Sequence, residues 1–333
     1  MISSILALEN PWVITAIAAA SFGAVSGIIM FFLIPIIIFC NTMYRNPKKK
    51  RTRECTNTKD EQQMYMFSEG INWALQFKDK TEELHIINDG LNLYGEYINF
   101  GFDKCAVILQ GRTESLLYSY YFADVYKKNG YNILVIDVRA HGLSDGKYIT
   151  SGIKESGDLV SWIKLINKKY SITDFTLHGI CIGGAAAVFA YIKLKNEGSD
   201  LVKRIVTDGI FLSFYEIFKE NFKLRKKRPF PMLYLVFFLA FILARVRLFE
   251  ETPKKYMKDI EIPFLFIWSA KDIFCIKSKS EELFNSCVSK YKELKFFPEG
   301  RHSHVRSSQE ADYDKAIANF LQKYNNVKIT EVN

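Results

Sequence analysis

The stretch Thr176-Leu-His-Gly-Ile-Cys-Ile-Gly-Gly-Ala185 decides how this chain folds. A short β-type run leads into it and an Ala-rich helical run, residues 184–195, leads out, so Cys181 falls on a strand-to-helix turn. A side chain presented on so sharp a turn leaves no room for Cβ atoms two residues away. Both of those positions, Gly179 and Gly183, are glycine. The pattern is typical of a turn that exposes a nucleophile at the end of a strand.

Cys181 occupies a position at which such turns usually carry serine. A thiolate attacks carbonyl carbons well when a neighbouring histidine favours the ionised form, so cysteine keeps nucleophilic catalysis possible. The backbone N–H of the next residue, Ile182, can then donate to an oxyanion. The competing interpretation is a Gly-rich turn around a buried, inert cysteine, and the turn alone does not separate the two.

The composition indicates one large α/β core and no bound cofactor. The chain has 333 residues, of which 49% are hydrophobic. Its cysteines show neither Cys-x-x-Cys nor Cys/His metal spacing, so we expect no disulfide framework and no metal site. They are Cys40, Cys55, Cys105, Cys181, Cys275 and Cys287. The net charge of +9 is concentrated in residues 45–53 and 223–228. No aromatic interleaving accompanies these runs, so we expect no nucleic-acid partner.

An uncharged apolar run extends from Trp12 to Phe39. At about 1.5 Å per residue it can cross a hydrocarbon core of about 30 Å, and we predict a transmembrane helix. A cleaved signal peptide is the alternative, but no basic residue precedes the run and it continues past Ala20. Six cations follow the run: Arg45, Lys48, Lys49, Lys50, Arg51 and Arg53. The positive-inside rule therefore predicts a single-pass protein with a cytoplasmic catalytic domain.

The rest of the chain alternates between strand and helix patterns. A predicted hairpin around Asp89-Gly90 is followed by repeated strand-helix units, which favours a mainly parallel sheet with helices on both faces. The predicted division is a transmembrane anchor at 1–40, a basic and polar linker at 41–72, an α/β domain at 73–325 with an inserted lid at about 212–259, and a tail at 326–333.

Further candidate groups follow other predicted strands, at the carboxyl edge where chemistry gathers in such sheets. After the strand at 105–110, the backbone N–H of Arg112 could join that of Ile182 in an oxyanion hole. Asp272 follows the strand at 264–269. The order nucleophile, acid, histidine along the chain is the order expected for this architecture.

The loop after the last predicted strand offers two histidines. His304 fits a His-x-x-Ser pattern and the spacing to the final helix, and it is the preferred base, whereas His302 fits a Gly-x-His pattern. His141 and His178 are interpreted as structural. Asp208 is the second candidate acid, and a turn-forming aspartate is the better interpretation of it.

These segments together resemble the α/β-hydrolase superfamily from about residue 83 to 321, and within it the membrane-anchored bacterial hydrolases near the serine aminopeptidase and acyl-esterase groups. Besides the turn at Cys181, the matching segments are Val107-Ile-Leu-Gln-Gly111, residues 130–146 with Asp137-x-Arg139-x-His141-Gly142-x-Ser144, residues 263–272, and His304-Val-Arg-Ser307 ahead of Tyr313. The resemblance implies hydrolysis of an ester, thioester or amide through a covalent acyl-enzyme.

The sequence departs from the family pattern at two positions. Cys181 replaces the usual serine, as in dienelactone hydrolases, and Gln110-Gly111 stands where members usually read His-Gly. The first departure leaves an alternative open: a catalytically weak or inactive hydrolase fold that serves as a binding or scaffold protein at the membrane. A peptidase also remains open, because the shape of the pocket sets the leaving group.

The inserted residues 212–259, here called the lid segment, combine charge and apolar residues. Five cations at 223–228 precede the apolar run Phe230 to Leu243, which is short for a membrane span. We predict an amphiphilic lid over Cys181 that admits a small acyl-type substrate. Of two placements, we favour a helix packed wholly on the protein over one inserted in the cytoplasmic leaflet with its cations near lipid phosphates.

Overall fold

The computed structural model describes residues 11–45, 53–54 and 59–325. Several residues named above lie outside this part of the chain: Lys48, Lys49, Lys50, Arg51, Cys55 and the predicted tail at 326–333.

Eight strands form one twisted sheet. Their bounds are β1 Thr81–Asn88, β2 Leu91–Ile98, β3 Lys104–Leu109, β4 Tyr131–Ile136, β5 Asp174–Ile180, β6 Val202–Asp208, β7 Phe264–Ser269 and β8 Lys292–Phe297. The strand order is β1-β2-β4-β3-β5-β6-β7-β8. Strands β3 to β8 pair in parallel, and the β1-β2 hairpin adds antiparallel strands at one edge. The predicted, mainly parallel sheet is confirmed.

Burial on both faces explains why the central strands are apolar along their whole length. Every residue of β4 and β7 is buried, as are all residues of β3 and β5 except the first. Helices flank the sheet. Their bounds are α1 Pro11–Thr42, α2 Glu61–Leu75, α3 Leu116–Ser119, α4 Ala123–Lys128, α5 Glu155–Tyr170, α6 Ile182–Asn196, α7 Phe214–Leu224, α8 Met232–Leu239, α9 Pro253–Tyr256, α10 Lys277–Ser286, α11 Val305–Ser308 and α12 Glu310–Lys323.

Helix α1 is long and apolar enough to cross a membrane, and it also packs on the domain. Its 32 residues rise about 48 Å, more than the roughly 30 Å of a hydrocarbon core. Large apolar side chains are exposed along it from Trp12 onwards, whereas Pro35 and Phe39 are buried on one face of its last turns, as is Met43 beyond its end. The first part of the helix is therefore the candidate membrane span.

The predicted linker at 41–72 is structured in its described residues, so that part of the prediction is wrong. Arg45 donates from its backbone to Lys147 and from its side chain to the carbonyls of Gly142 (2.6 Å) and Ser144 (2.5 Å). Helix α2 begins within the linker, and Asp60 caps it by accepting from the N–H of Gln63. A capping pattern, Asp60-x-x-Gln63, was the overlooked signal.

The lid segment forms helices α7 and α8, and α8 continues into a π-helical turn at Ala240–Ala244. Side chains at helical spacing on one face of α8 point inward, including Leu233, Val236 and Phe237. The opposite face is exposed, and its large apolar residues are Tyr234, Phe238, Phe241, Ile242 and Leu243. The favoured interpretation, a lid helix packed wholly on the protein, is therefore wrong for this face. Helix α8 also packs against α1, so the exposed apolar surfaces of the two helices lie side by side.

Candidate active site

Cys181 sits in a strained turn between β5 and α6. Its backbone angles are φ 53° and ψ −110°, a left-handed conformation that is unusual for a residue with a Cβ. A Cβ on Gly179 would lie 2.2 Å from the carbonyl carbon of Gly183, and a Cβ on Gly183 would lie 2.6 Å from the carbonyl oxygen of Leu109. Only glycine fits at both positions, so the turn forms as the sequence predicts.

His302 and Asp272 meet at the same edge of the sheet. The Nδ1 atom of His302 lies 2.6 Å from Oδ2 of Asp272. The other oxygen, Oδ1, accepts from the N–H groups of Phe274 and Cys275, both at 2.8 Å. The imidazole passes over Gly209, where a Cβ would come within 3.0 Å of the ring. The carboxylate is thus held on both oxygens, and it orients the ring.

The charges of the three groups act on one another. Burial alone would lower the pKa of His302, but the charges of Cys181 and Asp272 outweigh it and raise that pKa well above its usual value. Burial acts to raise the pKa of Asp272, and the charge and hydrogen bond of His302 hold that pKa below its usual range. These interactions therefore favour an imidazolium at His302 and an ionised Asp272.

His304, the preferred histidine in the sequence, does not contact Asp272. Its Nδ1 bonds the main-chain carbonyl of His302 (2.7 Å), and burial lowers the pKa of His304. A two-residue change of position in a turn points a side chain in another direction, and a motif does not encode that direction. The preference for His304 is corrected in favour of His302.

Two hydrogen bonds of Arg112 brace the turn after β3. The carbonyl of Arg112 bonds Nε2 of His141 (2.7 Å), and the guanidinium of Arg112 donates to the carbonyl of Thr42 at the end of α1 (3.1 Å). Burial lowers the pKa of Arg112. Ile182 is the first residue of α6, so its N–H has no acceptor within the helix. Both predicted oxyanion donors line the same cavity as Cys181.

Gln110, at the position where the hydrolases that the sequence resembles usually have histidine, is buried and bridges two strands. With its amide oriented to satisfy both polar atoms, it donates to the carbonyl of Ile136 (2.7 Å) and accepts from the N–H of Val138 (3.1 Å). These bonds tie the end of β3 to the end of β4. The departure therefore changes the packing behind the turn and leaves the Arg112 backbone in place.

A cavity of about 800 Å³ opens over Cys181, within the range of about 300–1,000 Å³ usual for ligand pockets. Its floor includes Arg112, Cys181, Ile182 and His302. Its walls come from the lid segment and, unexpectedly, from the last turns of α1. The wall residues from these two parts are Ile34, Ile37, Ile38, Asn41, Thr42, Phe214, Ile217, Phe218, Asn221, Phe222, Arg225, Lys227, Arg228 and Met232.

Glu114 is a buried acid in this cavity that the sequence analysis overlooked. It follows the Arg112 turn and accepts from the N–H of Gly111 (3.0 Å). Burial raises the pKa of Glu114 to about 7. Its position directly after the predicted oxyanion turn was the only feature of the sequence that could have indicated a place in the site.

Glu114 makes stability depend on pH. In the unfolded chain its pKa is about 4.3, so between that value and about 7 the folded protein holds the extra proton and stability falls as pH rises. We expect Glu114→Gln to reduce the fall in the free energy of unfolding between pH 5 and 8 by about 3 kcal/mol. Denaturant unfolding in detergent measures this, with the exposed Glu69→Gln as control. An unchanged pH dependence for Glu114→Gln would contradict the assignment.

Asp208, the second candidate acid, belongs to a separate buried network. Its Oδ2 accepts from the hydroxyl of Tyr313 (3.1 Å), which in turn lies 3.2 Å from Nε2 of His178. Burial lowers the pKa of His178 to about 3, so its ring is neutral. Burial raises the pKa of Asp208 to about 7. Asp208 does not orient His302, and His178 braces the sheet.

Asp272, Cys275 and His302 bring three ligand-type atoms within 4.8 Å of one another. These atoms are engaged with the protein. The Sγ of Cys275 donates to the carbonyl of Gly209 (3.2 Å), and burial raises the pKa of Cys275 to about 12, so it remains a thiol. The carboxylate of Asp272 and Nδ1 of His302 are hydrogen-bonded to each other. The cluster therefore fits a hydrogen-bonded pair with a buried thiol better than a metal centre.

Comparisons with known proteins support the fold. A family model described as the alpha/beta hydrolase fold matches residues 107–245. An uncharacterised Bacillus subtilis protein, YqkD, is 26% identical over 221 residues, which are 66% of this chain and 71% of that protein. An uncharacterised membrane protein of Saccharomyces cerevisiae, YNL320W, is 24% identical over 178 residues, 54% of this chain and 57% of the yeast protein.

Solved structures share the fold. An esterase of Pyrococcus furiosus superposes with a TM-score of 0.62 at 23% identity, covering 75% of this chain and 93% of the esterase. An esterase of Exiguobacterium antarcticum gives 0.53 at 18% identity, covering 72% and 100%. A monoacylglycerol lipase of Paleococcus ferrophilus gives 0.53 at 16%, covering 70% and 99%. At these identities the likeness is one of fold.

Proposed function

We propose that this chain, which has the α/β-hydrolase fold, hydrolyses a carboxylic acyl bond through Cys181. The family model and the esterase neighbours support hydrolase activity in general. An ester is the favoured substrate, with thioester and amide bonds as the wider class. One observation carries the proposal: Cys181, in a strained turn, lines a cavity together with His302, and Nδ1 of His302 is held by Asp272.

The reaction starts from a Cys181 thiolate beside a His302 imidazolium. Sγ attacks the acyl carbonyl carbon to form a thioester, and the alcohol leaves with the proton of His302. The neutral imidazole then takes a proton from water, whose oxygen attacks the thioester. The acid departs and the thiolate-imidazolium pair returns. Asp272 keeps the ring oriented throughout, and the N–H groups of Arg112 and Ile182 stabilise each oxyanion.

Trapping of the covalent intermediate tests this function. The full chain in detergent is mixed with a short-chain p-nitrophenyl ester, quenched in acid, digested and analysed by mass spectrometry. We expect the acyl mass on the peptide that contains Cys181, and on no other cysteine peptide. An absence of any acyl adduct, with the protein folded, would instead favour the binding or scaffold alternative.

We further propose that α1 is a single membrane span and that the hydrolase domain faces the cytoplasm. The apolar helix and the cations that follow it support this arrangement, since cations accumulate on the cytoplasmic side. The yeast relative is itself described as a membrane protein. Protease protection in sealed inverted vesicles measures the orientation: cleavage of the domain without detergent is the expected result.

A further inference from the structure

The candidate membrane helix forms part of the wall of the cavity. Ile34, Ile37 and Ile38 line it just beyond the part of α1 that would occupy the hydrocarbon core, and Thr42 accepts from Arg112 on the cavity floor. A tether alone would need no such contact. The cavity therefore begins where the helix leaves the membrane.

Helix α7 supplies an apolar stripe on the facing wall. Phe214, Ile217, Phe218, Asn221 and Phe222 recur at helical spacing, and all five line the cavity. Apart from Phe214, they are only partly buried. This face, apolar apart from Asn221, lines the cavity and is only partly covered by the protein, which suits an extended hydrocarbon chain.

Three cations of the basic turn at 223–228 border the same cavity: Arg225, Lys227 and Arg228. Lys223 pairs with Glu220 (2.7 Å), but the three lining cations form no ion pair within residues 11–45, 53–54 and 59–325. Unpaired cations at the edge of an apolar cavity complement a ligand with a hydrocarbon chain and an anionic group.

We propose that the substrate is an anionic membrane phospholipid or lysophospholipid, which enters sideways between α1 and the lid segment. Its acyl chain lies between the isoleucines of α1 and the stripe on α7, and its phosphate meets Arg225, Lys227 and Arg228. The exposed apolar face of α8, beside α1, rests in the membrane at the entrance. One water is consumed for each ester cleaved, and the products are a fatty acid and the lipid with one acyl chain fewer, bearing a free hydroxyl. This assignment rests on the proposed function.

Charge recognition is tested in proteoliposomes of zwitterionic lipid that contain the full chain and lysophospholipids with one palmitoyl ester. Palmitate release is measured from lysophosphatidylglycerol and from lysophosphatidylcholine. We expect palmitate to be released roughly tenfold faster from the anionic lipid than from the zwitterionic one, and Lys227→Gln to lower this preference about fivefold. Lys226→Gln is the matched control, because Lys226 carries the same charge but does not line the cavity. Equal effects of the two variants would indicate general attraction to the surface and overturn the proposal.

Sideways entry is tested by filling the wall. We expect Ile37→Trp to slow palmitate release roughly tenfold more than it slows acetate release from p-nitrophenyl acetate, because the short acyl group does not extend along the wall. Ile36→Trp is the control and keeps both rates, because Ile36 is as exposed as Ile37 but does not line the cavity. An equal loss with both substrates, or an equal effect of Ile36→Trp, would overturn the path.

Two further arms separate the possible ligands. Glycerol 3-phosphate should not compete with the lipid. Inhibition that disappears with Lys227→Gln would mean that the cations recognise a free phosphate. Faster cleavage of a palmitoyl-cysteine peptide than of either lysolipid would assign the cavity to acylated proteins. If acetate release dependent on Cys181 persists without any lipid preference, the substrate assignment fails alone; if no such release exists, the proposed function fails with it.

Discussion

Cys181→Ala should lower kcat/KM for a short acyl ester by about 10⁴-fold or more. The thiolate is the atom that forms the covalent bond, and removal of a nucleophile leaves only the oxyanion donors and binding to accelerate the reaction. Ester hydrolysis by the full chain in detergent, followed from the released alcohol, measures the effect.

Another buried cysteine provides the control for this prediction. Cys287 is as well buried as Cys181 but ends α10 on another part of the domain, so Cys287→Ala should change the rate by no more than a few fold. Thermal unfolding of both variants shows whether they are folded. A folded Cys181→Ala protein with the rate of the native chain would remove the covalent mechanism.

His302→Ala should lower kcat/KM by about 10³-fold, whereas His304→Ala should cost no more than about tenfold. Of the two histidines, only His302 bonds Asp272, and the raised pKa of His302 keeps a proton available for the leaving group. His304 instead bonds a main-chain carbonyl and contributes a cavity wall. Steady-state rates of the two variants separate these roles directly.

Chemical rescue sharpens the comparison of the two histidines. Added imidazole should restore part of the rate of His302→Gly, because a free ring can occupy the vacated space beside Cys181. The same addition should leave His304→Gly unchanged. A larger loss at His304, or rescue at that position only, would return the catalytic role to the histidine that the motif favours.

The contacts of the candidate membrane helix α1 with the cavity decide which form of the protein should be assayed. Because α1 lines the cavity and Thr42 accepts from Arg112, removal of the helix would open one wall and release the side chain that supports the oxyanion turn. Activity on long acyl chains should therefore be measured with the full chain. A truncated domain is a test of the helix rather than of the site.

Local chemistry allowed much of the fold to be predicted from the sequence alone. Apolar runs of strand length, the Asp89-Gly90 turn and the glycines around Cys181 depend on neighbours in the chain, and each formed where it was expected. The same holds for the placement of Cys181, Asp272 and both histidines after their strands, since a parallel sheet gathers the carboxyl ends of its strands at one edge.

Tertiary structure decided the features that depend on direction and on distant partners. A pattern places His302 and His304 in one loop, but only the folded turn shows which ring reaches Asp272. Likewise, apolarity predicted α1 as a span, yet its contact with Arg112 joins residues 70 positions apart in the chain. A hydrophobic pattern encodes burial and not partners, so the role of the candidate membrane helix as a cavity wall became visible only in three dimensions.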